Sequence, residues 1–287
     1  MSASTSTSTS TAPVQTIAFL GATGGCTLPV LERALKAGHH ATALVRNPAK
    51  LRTLLSTTRG VPADLIDRNL TIISGSASDS DAAAAASLRA LLTVPNDGQP
   101  SNTLVDTIVS GIGSLPALQW SLRSPVTLQQ PGLCGAATRN VVDALRGLLA
   151  EGCRTQAGGG PGMVAISTTG VSRVQRDVPL LFVPLYHYLL RVPHEDKRDM
   201  EDCVVAAEAE GSLGGFVVVR PSLLLDGGAK GKGAVRVGWE GAGGKGEGAP
   251  GPAVGYTVAR DDVAAWIWEE AVMRRETWAG KCVSLTY

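Results

Sequence analysis

Short apolar runs alternate along the chain with stretches where apolar residues recur every three or four positions. Residues 16–20 (TIAFL) form a five-residue apolar run that ends at Gly21, as a buried parallel strand would. Leu28, Leu31 and Leu35 follow at i, i+3 and i+7 with Ala34 beside them, which predicts an amphipathic helix stopped by Gly38. Residues 41–45 read as a second strand, after which Asn47-Pro48 has the form of an N-cap and first helical position. Strands are expected at 70–73, 104–109, 163–166, 216–219 and 282–285. Helices are expected from a cap at Asp79 or Ser80 to about Leu92, over 136–150 and 195–210, and after Asp261-Asp262, with Val263, Trp266 and Ile267 facing inward. Such alternation predicts an α/β, doubly wound Rossmann fold with a mostly parallel sheet.

Two segments break the pattern. Residues 1–13 are a Ser/Thr repeat without the basic start and apolar centre of a secretory signal, and read as a disordered tail. Residues 227–252 hold eleven glycines and few core-forming residues, and read as a flexible surface insertion. The rest, 14–287, is expected to be a single NAD(P)-binding domain.

Composition narrows the function. Of 287 residues, 44% are hydrophobic and 18% charged, enough for a sizeable core. With 26 basic against 25 acidic residues, the net charge of +1 leaves no broad footprint for nucleic acid or anionic membrane. No apolar stretch approaches a membrane span. Five scattered cysteines without a C-x-x-C pair point to free thiols in a reducing compartment, so a cytoplasmic location is expected. No His/Cys cluster has metal-ligand spacing, and no metal is expected.

The chief chemical signal is Gly21-x-x-Gly24 between the first strand and first helix. Gly21 can make the tight turn, and Gly24 lets the backbone approach a pyrophosphate at the helix N-terminus. Position 27, where a third glycine would ease helix–strand packing, is Thr27, and a small tilt of the helix with weaker cofactor affinity is the expected consequence. The second strand ends in Arg46. A carboxylate there would favour NAD; a guanidinium suits a 2′-phosphate, and Lys50 stands one helical turn further on. NADP(H) is therefore the expected cofactor, set against two merely solvated charges.

Ser167, at the carboxyl end of the fifth main strand, is a candidate to hydrogen-bond a substrate oxygen, or is a plain turn serine. His194, Lys197 and Glu201 share one helical face; Lys197 could hold ribose hydroxyls with Glu201 paired to it, or the two form an exposed salt bridge. Tyr188 or Tyr186, beside His187, could donate a proton, although their apolar neighbours suit core or lid packing. Cys26 is either oxidisable at the helix N-terminus or a small packed residue. His39 and His40 lie in a turn far from the ligand edge and are given no role.

Several of these segments together resemble an atypical short-chain dehydrogenase/reductase of the NmrA-like, NAD(P)H-binding group, which includes flavin reductase-like members. They are residues 21–24 (GATG), 44–48 (LVRNP), 110–113 (SGIG), 138–142 (TRNVV), 166–170 (ISTTG), 194–197 (HEDK) with Glu201, and 219–222 (VRPS). Residues 184–202 are similar to fungal members. The resemblance implies a Rossmann fold holding NAD(P)(H), with Gly21, Thr23, Gly24, Gly25, Arg46, Lys50, Gly111, Gly113, Ser167 and Lys197 around the cofactor, and Ser167, Lys197 and Tyr188 as the catalytic set. The Tyr-x-x-x-Lys pattern of standard reductases is missing, and Ser76 follows Gly75 where many relatives carry an aspartate near the adenine.

The expected function is thus an NADPH-dependent reductase of a small organic substrate, with secondary metabolism as one setting. A dinucleotide-binding, redox-sensing regulator without catalysis stays open, as does an isomerase or dehydratase that retains the fold. Oligomeric state is not readable.

Overall fold

The computed structural model describes residues 13–96, 101–114, 116–118, 126–183, 190–244 and 249–287. Apart from Pro13, the expected Ser/Thr tail lies outside them, as do Tyr186, His187 and Tyr188.

Eight strands form the main sheet: β1 (Thr16–Leu20), β2 (His40–Val45), β3 (Leu70–Ser74), β4 (Thr107–Ser110), β7 (Gly162–Ile166), β8 (Phe216–Pro221), β10 (Arg236–Gly241) and β12 (Lys281–Thr286). Two short pairs lie outside it, β5 (Pro116–Leu118) with β6 (Val126–Leu128) and β9 (Leu223–Leu225) with β11 (Thr257–Ala259). The described helices are α1 (Thr27–Lys36), α2 (Pro48–Thr53), α3 (Ala63–Asn69), α4 (Ala82–Leu92), α5 (Leu133–Ala150), α6 (Arg191–Ala209), α7 (Arg260–Trp266) and α8 (Arg275–Trp278).

The sheet runs β10-β12-β8-β7-β4-β1-β2-β3, parallel throughout except where β10 joins β12. Order reverses between β1 and β4, and that switch point opens a crevice at the carboxyl ends of the strands. This is the doubly wound α/β sheet the alternation predicts. Period-two alternation sends each strand's side chains into two cores. Ile17 and Phe19 face a layer with Leu31, Leu35 and Trp266, whereas Ala18 and Leu20 face a layer with Leu91, Val141 and Val204. Asn47 caps α2 by accepting the Lys50 amide at 3.0 Å, with Pro48 at N1.

Several boundaries differ from expectation, β4 starting at Thr107 rather than 104 and α5 at Leu133 rather than 136. Asp81, not Asp79 or Ser80, caps α4, taking the Ala84 amide at 2.7 Å. Helix α6 starts at Arg191, because Pro193 in the first turn removes only an amide that has no helical partner. The glycine-rich segment is not wholly an irregular insertion: residues 236–241 make the edge strand β10. Its polarity is inverted. Gly238 and Glu240 point inward and Val237 outward, because Glu240 serves a buried arginine described below. No described helix is long and apolar enough to cross a membrane.

Candidate cofactor and active site

The carboxyl ends of β1 to β4 open on one cavity of about 740 Å3. Residues 21–24 form its floor, Arg46, Asn47 and Lys50 one lip, and residues 74–79 and 111–113 its sides, with Leu133 and Ala137 of α5 at the far end.

The floor is built for close approach. Gly21 has φ 67°, and a Cβ on it would lie 2.7 Å from the Gly111 carbonyl oxygen, so only glycine makes this turn. The Gly24 amide donates to Gly21 O at 2.8 Å, and Thr23 lines the cavity beside it. The amides of Gly25 and Cys26 meet no acceptor among the described residues, and the first turn of α1 carries no acidic side chain. That end of α1 therefore keeps free N–H groups and the positive end of its dipole for an anion.

Thr27 alters the motif by packing against the end of β4. A Cβ on Gly111 would collide with Thr27 Oγ1, so the room lost on the helix is supplied by the strand-end glycine opposite. The first turn of α1 still closes, Leu28 N to Gly24 O at 2.9 Å. Thr27 Oγ1 is the one buried side-chain N or O atom without a partner among the described residues. Gly25, expected at the cofactor, is not a wall of the cavity. The place its Cβ would take is filled by Arg260, whose Cδ would be 2.5 Å away.

Arg46 and Lys50 are exposed on the lip, and neither charged group has an ion-pair partner among the described residues. The loop after β3 is held from α5: Asn140 Nδ2 donates to Ala77 O at 2.9 Å and to Asp79 O at 3.1 Å. Asn140 lies in the 138–142 segment, and nothing in local spacing links it to a loop 61–63 residues earlier. A long cavity with a glycine floor, an open helix N-terminus and two free cations fits a dinucleotide.

Beyond β4 the polar groups are bound to one another. Lys197 Nζ donates to Ile112 O at 2.9 Å and Ile166 O at 2.8 Å, bridging the ends of β4 and β7, with the Met200 sulfur at 4.0 Å. Asp196, buried, accepts the amides of Cys134 and Gly135 at 3.1 and 3.0 Å. It thereby caps α5, whose own N-cap Gly132 has no side chain to do so, and fixes α6 against α5. Gly113 lies on the cavity wall nearby.

Glu201 does not pair with Lys197, nor is it exposed. Arg220 of β8 donates to both its oxygens, at 3.0 and 2.6 Å, and also to Glu240. Arg220 and Glu201 are 7% and 9% exposed. Burial, the largest single influence, would lower the arginine's pKa; the hydrogen bonds and charge of Glu201, with the hydrogen bond to Glu240, together hold the group above its ordinary value. Ser172 donates to the second oxygen of Glu240 at 2.9 Å. Ser167 Oγ donates to Glu201 Oε1 at 2.6 Å, which corrects the expectation that this proton faces a substrate oxygen; towards a ligand the hydroxyl offers lone pairs. Helical spacing pointed to a Lys197–Glu201 contact, but the true partner comes from a strand 19 residues on.

Burial pushes the Cys26 thiol up to about 11, so it is a packed residue rather than a reactive thiolate. His39 takes the Gln15 amide at 3.0 Å, far from the cavity.

Comparison with known proteins agrees with this geometry. A family model described as NAD(P)H-binding matches residues 21–272. The chain is 44% identical over 282 residues to the reductase pytE of Aspergillus terreus, covering 95% of this chain and 98% of that protein. It is 37% identical over 289 residues to the oxidase pynE of Aspergillus niger, covering 94% and 98%. Among solved structures it resembles ChuY, an anaerobillin reductase from Escherichia coli O157:H7, with TM-score 0.55 and 20% identity over 94% of this chain and 96% of that one. That likeness is one of fold.

Proposed function

The chain belongs to the NAD(P)H-binding family, and on that premise we propose that it is an oxidoreductase that uses NADPH to reduce a small organic substrate. The observation that carries the reading is the cavity itself. Its glycine floor meets an open helix N-terminus, and two unpaired cations stand at the end of β2. Relatives named a reductase and an oxidase support redox chemistry.

Arg46 is the group that favours NADPH over NADH, through charge-assisted hydrogen bonds to a 2′-phosphate, with Lys50 adding a flexible point charge. Gly21, Thr23, Gly24, Gly111 and Gly113 let the ligand lie close to the backbone. Bound there, the reduced dinucleotide supplies a hydride. Lys197, fixed on two carbonyls, retains an N–H for a ligand hydroxyl or a developing alkoxide. Ser167, its own proton held by Glu201, accepts from a ligand donor. The NmrA-like subtype, a role for Tyr188 and a cytoplasmic setting belong to the same proposal.

The test is NADPH oxidation by the purified protein across quinones, flavins and enones, repeated with Lys197→Ala and Ser167→Ala. Turnover of at least one compound, falling about tenfold or more in each variant, is expected. NADPH binding without turnover of any compound, together with cofactor-sensitive capture of a partner protein, would favour the regulator.

A further inference from the structure

Gly25 and Arg260 occupy one another's space. A Cβ on Gly25 would meet Arg260 Cδ at 2.5 Å, Nε at 3.1 Å and Cζ at 3.4 Å. The arginine thus lies along the glycine loop, where any other residue at position 25 would place its own side chain. Its positive charge also acts on the Cys26 thiol, against the larger effect of burial. It therefore sits beside the two amides that lack acceptors, just before the first residue of α1.

The arginine's hold elsewhere is weak. Its ion-pair partner is Asp226, at 2.8 Å, whose side chain is 90% exposed, and exposed pairs of this kind contribute little. A guanidinium so placed can exchange a solvated carboxylate for a doubly charged diphosphate with bidentate geometry.

We propose that Arg260 is a cofactor-binding residue that takes the diphosphate of the dinucleotide over Gly25, at the N-terminal end of α1. The proposal rests on the dinucleotide reading above. It assigns the two arginines different parts of the ligand: Arg46 the 2′-phosphate, Arg260 the diphosphate common to NADPH and NADH.

The experiment is a fluorescence titration of wild type, Arg260→Ala, Gly25→Ala and Arg46→Ala with NADPH and NADH, with 2′-AMP, which lacks the diphosphate, added as competitor. Arg260→Ala should weaken both dinucleotides by the same factor, about tenfold, and leave 2′-AMP unchanged. Gly25→Ala, which displaces the arginine, should weaken both dinucleotides alike, and the double variant should be no weaker than Arg260→Ala alone. A melting temperature close to that of wild type identifies the losses as binding effects. Unchanged dinucleotide affinity in Arg260→Ala, or a loss confined to NADPH or shared by 2′-AMP, would overturn the proposal. Failure of the wild type to bind either dinucleotide would overturn the dinucleotide reading itself.

Discussion

The two halves of the crevice are built on opposite plans. At the β2 and α1 end, Arg46, Lys50 and two backbone amides have no partner within the described residues. At the β7 and β8 end, Lys197, Ser167, Glu201, Arg220, Glu240 and Asp196 are tied into one another or into backbone groups. A surface that receives an ionic ligand keeps its donors for that ligand and lets water hold them meanwhile. A surface that must place a few atoms accurately fixes them by internal bonds. Substitutions in the first half should therefore change affinity with little effect on folding, and those in the second should change folding and turnover.

The largest effect expected is on the second half. Glu201→Ala leaves Arg220 buried with Glu240 alone, and removing one partner of a buried ion pair costs about 3–5 kcal/mol. Urea unfolding should show a loss near the lower end of that range, since Glu240 remains. A loss below about 1 kcal/mol would mean that the network is not structural.

Arg46→Ala should weaken NADPH by about one to two decades, as expected for hydrogen bonds between charged groups, while NADH and the unfolding midpoint barely move. A large drop in stability would erase the contrast between the halves.

The boundary between them is the Thr27–Gly111 contact. Gly111→Ala should cost about 1–3 kcal/mol by overpacking against the threonine hydroxyl, and Gly111→Ala with Thr27→Ala should recover most of it. For the same reason Thr27→Gly is no improvement, since it empties a filled site and puts glycine in the first turn of α1. Equal stabilities of the single and double variants would show that the two residues do not meet.

The smallest effect concerns reactivity. With its thiol near 11, about one Cys26 in a thousand is ionised at pH 8, so iodoacetamide should leave it unmodified in the native protein. Rapid labelling, mapped by mass spectrometry, would show the loop to be more open than described.

What was legible in the sequence follows the same division. The strand–glycine–helix unit, the Asn47-Pro48 cap and the position of Arg46 depend on residues adjacent in the chain, where period, turn chemistry and capping act locally. The closed half depends on distant partners. Nothing in the spacing of Lys197 and Glu201 shows that the carboxylate belongs to Arg220, or that Asp196 caps a helix beginning at Leu133. Strand β10 was hidden twice over, by the glycines around it and by a face that turns Glu240 inward and Val237 outward. A period-two pattern is visible at Val235, Val237 and Trp239, but only Val235 and Trp239 pack, partly buried, against the core, and Val237 is exposed.

The central claim is that the crevice is a dinucleotide site whose open half selects NADPH. Calorimetric titration of the wild-type protein with NADPH and with NADH tests it most directly. The account predicts binding of both, with NADPH tighter by about one to two decades. Equal affinities, or no heat with either, would contradict it.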